Sequence, residues 1–170
     1  MCSRAHALAL LRSIHARPPL AACIMTVARA ARRLPMAGPL TGMNRGPTGC
    51  SECWGTEKAS PVYANEALVL ARHPGTVKIK LQALRIGGFG ITANPCESFA
   101  HVGLDIKQQS PFKLTMNIGL ANGYSGYLPT PEQHELGGYE TWPSRWSFLE
   151  VNASRKITKT IAKLLKEVAQ

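Results

Sequence analysis

The stretch Ala93 to Glu140 sets one carboxylate and a cluster of tyrosines on two loops that ought to converge. The carboxylate is Glu97, in Pro95-Cys96-Glu97. The phenols are Tyr124 and Tyr127, in Asn122-x-Tyr124-x-x-Tyr127, and Tyr139, beside Glu140. A carboxylate and a phenol are hard oxygen donors, although a phenol binds a cation well only after losing a proton whose ordinary pKa is about 10. Each also has a plain structural role available. Glu97 can sit at a helix N-terminus, stabilised there by roughly 0.3 to 1 kcal/mol. Tyr127 can pack its ring on a sheet edge with its hydroxyl in water, and Tyr124 reads as a packing residue of the same kind.

Other candidate ligands are weaker. Glu97 and His101 are four apart and would share a helix face, yet a partly exposed histidine on a polar face accounts for His101 without a metal. His73 and His134 have no partner at ligand spacing and read as surface residues. Cys50-x-x-Cys53 has the spacing of a zinc knuckle, but no second CxxC or HxxxH completes four ligands, so two incidental thiols are expected. Five cysteines scattered over Cys2, Cys23, Cys50, Cys53 and Cys96 make no disulfide framework.

The elements that must position Glu97 and the tyrosines follow from periodicity. Ser60-Pro61 reads as a helix start, with Ala64, Ala67, Leu68 and Ala71 as its apolar stripe and Pro74-Gly75 as its stop. From Thr76 to about Ile86, alternation puts Val77, Ile79, Leu81 and Ala83 on one face of a strand. Gly87-Gly88 is the turn into an antiparallel strand, Phe89 to Ala93. Helical spacing of Phe99, Val102 and Ile106 follows, then Ser110-Pro111, then a strand from Lys113 with Leu114, Met116, Ile118 and Leu120 inward. Strand, helix and strand form a right-handed βαβ unit with parallel strands. Their carboxyl ends share one sheet edge, where open α/β sheets build sites. Glu97 lies just past one end, and Asn122 to Tyr127 just past the other. Thr130-Pro131-Glu132-Gln133 is a capping-box pattern for a short helix to Leu136. A last amphipathic helix, capped by Asn152 or Ser154, turns Ile157, Ile161, Leu164, Leu165 and Val168 inward and Arg155, Lys159, Lys163 and Lys166 outward.

Three groups together, Pro95-Cys96-Glu97 before an amphipathic helix, Asn122-x-Tyr124-x-x-Tyr127 with Pro129-Thr130-Pro131-Glu132, and Tyr139-Glu140, resemble the C-terminal part of the catalytic domain of the neutral ceramidase family. These are zinc-dependent amidases that cleave the N-acyl bond of ceramide. The resemblance runs over residues 61–170. It implies an α/β fragment of a mixed α/β hydrolase domain with a βαβ core and C-terminal helix. It implies Glu97 and Tyr127 as zinc ligands, with Cys96 where the family has glycine, and Asn122, Tyr124 and Tyr139 as pocket residues. Tyr139-Glu140 and Trp142 either line that pocket or pack beside it with the carboxylate solvated. It implies a ceramide-like lipid amide as substrate. The two histidine ligands belong to an earlier part of the family domain that nothing in residues 1–58 resembles. A hydrolytic zinc must hold a water, lower its pKa and keep a position open, and two ligands do not make such a site. The chain is therefore expected to be inactive alone, or to need the missing part of the domain in trans.

Composition divides the chain near Ser60. Residues 1–51 hold seven arginines and no acid, so the net charge of +10 comes largely from a basic leader, 1–58, expected to be irregular or disordered and unrelated to residues 59–170. Arginines follow its apolar patches, the reverse of a signal peptide, while a weak transit-peptide character remains; localisation stays open. No run reaches the roughly 18 to 20 apolar residues of a membrane span. The competing function is a non-catalytic basic module in which the leader and the Arg155–Lys166 face bind anionic lipid or nucleic acid. No interleaving of aromatic and basic residues suits nucleic-acid stacking.

Overall fold

The structure is a computed structural model that describes residues 20–28 and 56–170, with side chains from residue 61 onward. Its frame is a four-stranded sheet in the order β1 (Leu20–Ala28), β2 (Thr76–Ile86), β3 (Phe89–Ala93), β5 (Leu114–Ile118). Strand β2 (Thr76–Ile86) and strand β3 (Phe89–Ala93) form the expected hairpin, with Ile86 opposite Phe89 and Gly87 at φ 59°, a conformation glycine adopts without strain. Strand β5 (Leu114–Ile118) lies parallel to β3, with Ile91 opposite Met116, and helix α2 (Ala100–Gln109) makes the crossover between them. The α/β class and the βαβ core are as expected.

One face of the sheet is covered. Helix α4 (Ala153–Ala169) lays Ile157, Ile161, Leu164, Leu165 and Val168 onto Ile79, Leu81 and Ala83 of β2, and α2 adds Val102 and Ile106. All of these are buried, and each large aliphatic side chain contributes roughly 1.5 to 3 kcal/mol through burial. Arg155, Lys159, Lys163 and Lys166 face outward, as their spacing requires.

Four expectations are corrected. Strand β1 (Leu20–Ala28) pairs antiparallel with β2 from Leu20↔Leu84 to Ala28↔Thr76, so the leader is not irregular throughout; the rest of 1–55, including Cys50 and Cys53, lies outside the described residues. The edge of β2 offers a full row of backbone groups, and a β-rich apolar stretch can take it whatever the flanking composition. Helix α1 (Thr56–Ala71) starts before Ser60 and carries Pro61 inside it as its sixth residue, where the ring removes one backbone hydrogen bond. Asn152 stands at the N-cap of α4 but makes no side-chain cap bond.

The fourth correction bears on function. Leu114, Met116, Ile118 and Leu120 are not inward but exposed, Leu114 by 64%. Alternation separates two faces without saying which is covered. Here the polar set decides: Thr92 Oγ1 donates to Asn117 Oδ1 at 3.0 Å, Asn94 Nδ2 donates to the same oxygen at 3.3 Å, and Gly103 of α2 lies over Asn117. A buried, satisfied amide network therefore takes the helix side of β5 and turns its aliphatic residues the other way.

Candidate functional site

Past the carboxyl ends of β3 and β5 the two loops form a small parallel ladder of strands β4 (Glu97–Ser98) and β6 (Tyr127–Leu128). Its register sets Glu97 opposite Tyr127. Backbone bonds hold the loops together: Glu97 N–H donates to Gly126 O at 2.9 Å, Ser125 N–H to Pro95 O at 2.7 Å, Ala121 N–H to Asn94 O at 2.9 Å and Leu120 N–H to Cys96 O at 3.1 Å. Tyr127 N–H donates to Trp146 O at 2.8 Å, tying the ladder to the aromatic loop. Helix α3 (Pro131–Leu136) is capped as read, with Thr130 accepting from Gln133 N–H.

Asn94 organises the Glu97 side and was not singled out from sequence. It is fully buried, and its Oδ1 accepts from Cys96 N–H at 3.0 Å and from Ser98 Oγ at 3.1 Å while its Nδ2 donates to Asn117. The Asn94-Pro95 dipeptide is a turn signal, which was the cue available. Asn94→Ala is expected to cost about 2 to 3 kcal/mol, because it strands the Cys96 N–H and Ser98 hydroxyl donors and takes one of two donors from Asn117 Oδ1. Equilibrium urea denaturation checks this, and a loss below about 0.5 kcal/mol would mean that the network does not support the site.

The surroundings of Tyr127 and Tyr124 favour their protonated forms. The Tyr127 pKa is pushed far above the usual phenol range, first by its hydrogen bond with Tyr139, then by burial, then by the Glu97 carboxylate. Burial, the nearby Glu97 charge and a hydrogen bond to that carboxylate push Tyr124 up as well. Tyr127 and Tyr139 meet edge to face, centroids 5.6 Å apart. Helix α1 brings a fourth tyrosine. Tyr63 meets Trp142 edge to face at 4.7 Å and Trp146 at 6.0 Å, and it senses Tyr139 and Glu140 electrostatically. The helix is anchored there by Glu66, buried, which accepts from Arg145 Nε at 2.8 Å and Nη2 at 2.6 Å and is held below the usual carboxylate range by it. The four tyrosines thus form one connected group, Tyr124 and Tyr127 beside Glu97 and Tyr63 linked to them through Tyr139. Tyr63 was missed because nothing local in α1 marks it.

Other candidates have partners of their own. Asn122, at φ 62°, donates its amide to Gln82 of β2. His101 Nδ1 is 3.5 Å from Gln133 Nε2. His134 is half-buried, not a surface residue. Burial pushes the Cys96 thiol up to about 12, which makes it unreactive. Among the described residues no group of three or more His, Cys, Asp or Glu side chains gathers. Glu97 and Tyr127 are opposite one another in backbone register, and the Glu97 charge acts on the Tyr127 phenol.

No family model matches the chain and no curated protein matches it. Among solved structures it is similar to a ceramidase complexed with C2, at TM-score 0.45 and 19% identity over 56% of this chain and 15% of that one. It is similar also to the neutral ceramidase from Pseudomonas aeruginosa, at TM-score 0.42 and 19% identity with the same coverage. The chain spans 15% of the length of these relatives.

Proposed function

We propose that this chain carries part of the active site of a ceramidase-like hydrolase acting on a lipid amide such as ceramide. Glu97 and Tyr127 serve as two oxygen ligands of a zinc ion, and Tyr124, Tyr139 and Asn122 border the pocket. The observation that carries the reading is the register of the β4–β6 ladder, which sets the two donors side by side. When bound, the zinc would polarise the amide carbonyl and acidify a water. The chain's own groups do the rest: Tyr124 holds the Glu97 carboxylate in place by hydrogen bonding, and Tyr139 fixes the Tyr127 hydroxyl. Histidine ligands must then come from polypeptide other than residues 56–170.

Two consequences are measurable. Because its neighbours hold Tyr127 protonated, zinc must displace a proton before the phenol binds, so affinity is weak at neutral pH and strengthens as pH rises toward the phenol's raised pKa. Ultraviolet difference spectra should show a zinc-dependent phenolate band that is lost in Tyr127→Phe and reduced in Glu97→Gln. No turnover of an N-acylsphingosine is expected from the chain alone. Zinc binding indifferent to both substitutions would reject the ligand assignment, and chelator-sensitive turnover by the isolated chain would reject the half-site.

A further inference from the structure

The sheet face opposite α4 has no cover among the described residues. It carries Leu84 and Ile86 from β2, Phe89, Ile91 and Ala93 from β3, and Leu114, Met116 and Ile118 from β5, in register across the three strands. Ile86 is 53% exposed and Met116 42%. Parallel strand pairs are normally buried on both faces, so an open one calls for an occupant. The charges on this face have one sign. Lys78 and Lys80, both exposed, alternate on β2 in phase with Leu84, and no described carboxylate shares the face.

We propose that this face seats on an anionic lipid bilayer, with the aliphatic residues of β3 and β5 in the headgroup–acyl boundary and Lys78 and Lys80 against lipid phosphates and carboxylates. A second copy of the chain fits less well. Three strands about 4.8 Å apart and five residues of about 3.3 Å each give an apolar area of roughly 250 Å². Stable protein pairs bury about 800 Å² per partner. The lysines would also face like charge across such a pair, whereas a bilayer of acidic lipid supplies the complement and sets no minimum area. The surface is separate from the basic outer face of α4, where Arg155 and Lys156 already pair with Glu132 and Glu150. It ends beside the Glu97–Tyr127 ladder, through the Asn122–Gln82 bond, yet it does not depend on any hydrolase activity.

The test is co-sedimentation of the full chain with vesicles of phosphatidylcholine alone or with about a third phosphatidylserine, at about 0.1 M salt, where screening is already substantial. Binding is expected only to the anionic vesicles. Lys78→Gln with Lys80→Gln should lower the partition coefficient about 30-fold, at about 1 kcal/mol per lysine. Leu114→Ser with Ile118→Ser should lower it by at least about tenfold. Lys159→Gln with Lys163→Gln, which removes the same net charge from α4, should leave it within about threefold, since both lysines lie away from the proposed contact. Circular dichroism confirms that the variants fold. No binding to anionic vesicles overturns the proposal. So does binding that falls with the α4 pair instead of the β2 pair, or sedimentation equilibrium showing a dimer that Leu114→Ser with Ile118→Ser dissociates.

Discussion

Gly126→Ala is expected to destabilise the protein by about 3 to 4 kcal/mol and to pull Tyr127 away from Glu97. Gly126 sits at φ 73°, where an L-residue costs roughly 1 to 2 kcal/mol. A methyl group there would lie 2.5 Å from Trp146 O, which accepts the Tyr127 N–H bond and cannot retreat without breaking it. Gly126 O in turn accepts from Glu97 N–H, so both sides of the ladder are disturbed, at about 1 kcal/mol for each bond weakened. Urea denaturation gives the stability. Amide exchange at Glu97 and Tyr127 gives the ladder, and both amides should lose protection selectively. Gly88→Ala is the control, since nothing lies within 4 Å of its new methyl. Equal, small effects of the two substitutions would mean that the loops are not locked as the ladder implies.

The parts legible in the sequence are those where one local interaction decides. Gly87-Gly88 permits a two-residue turn, and the hairpin follows. Thr130 and Gln133 satisfy each other's backbone donors, and the short helix follows. The aliphatic spacing of α4 leaves only one face to bury. The same logic brought Glu97 and Tyr127 to one sheet edge, although the ladder that sets them opposite one another was not foreseen. What escaped depends on contacts between distant segments. Leu114, Met116 and Ile118 look like core residues until the Thr92–Asn94–Asn117 network claims the helix side of β5. The place of α1 depends on Glu66 meeting Arg145, 79 residues away, and on Tyr63 meeting Trp142 and Trp146, contacts that no local pattern announces. Strand β1 lies in a stretch whose flanking composition concealed its pairing with β2.

Leu165→Ala should cost about 3 to 4 kcal/mol, within the usual range for a buried leucine. The side chain is fully buried and reaches β3, where it would lie 3.3 Å from a methyl group added at Gly90. The strand and helix backbones are thus in close approach, and the cavity cannot easily collapse. Domains of this size have about 5 to 15 kcal/mol in all. With one sheet face covered among the described residues, this protein should lie near the lower end, because much of the apolar surface of the other face gains little from burial. At a denaturant slope near 1.5 kcal/mol per molar, the urea midpoint should fall by about 2 M. A shift under about 0.5 M would mean that α4 does not bind the sheet as tightly as its burial indicates. Adding anionic vesicles should restore part of the loss, since a ligand that binds only the folded state stabilises it. The Glu97–Tyr127 ladder hangs from the ends of β3 and β5, so its amides should lose protection in step with those of the sheet core. Stability of the sheet and integrity of the site are then one equilibrium, set jointly by α4 on one face and by whatever occupies the other.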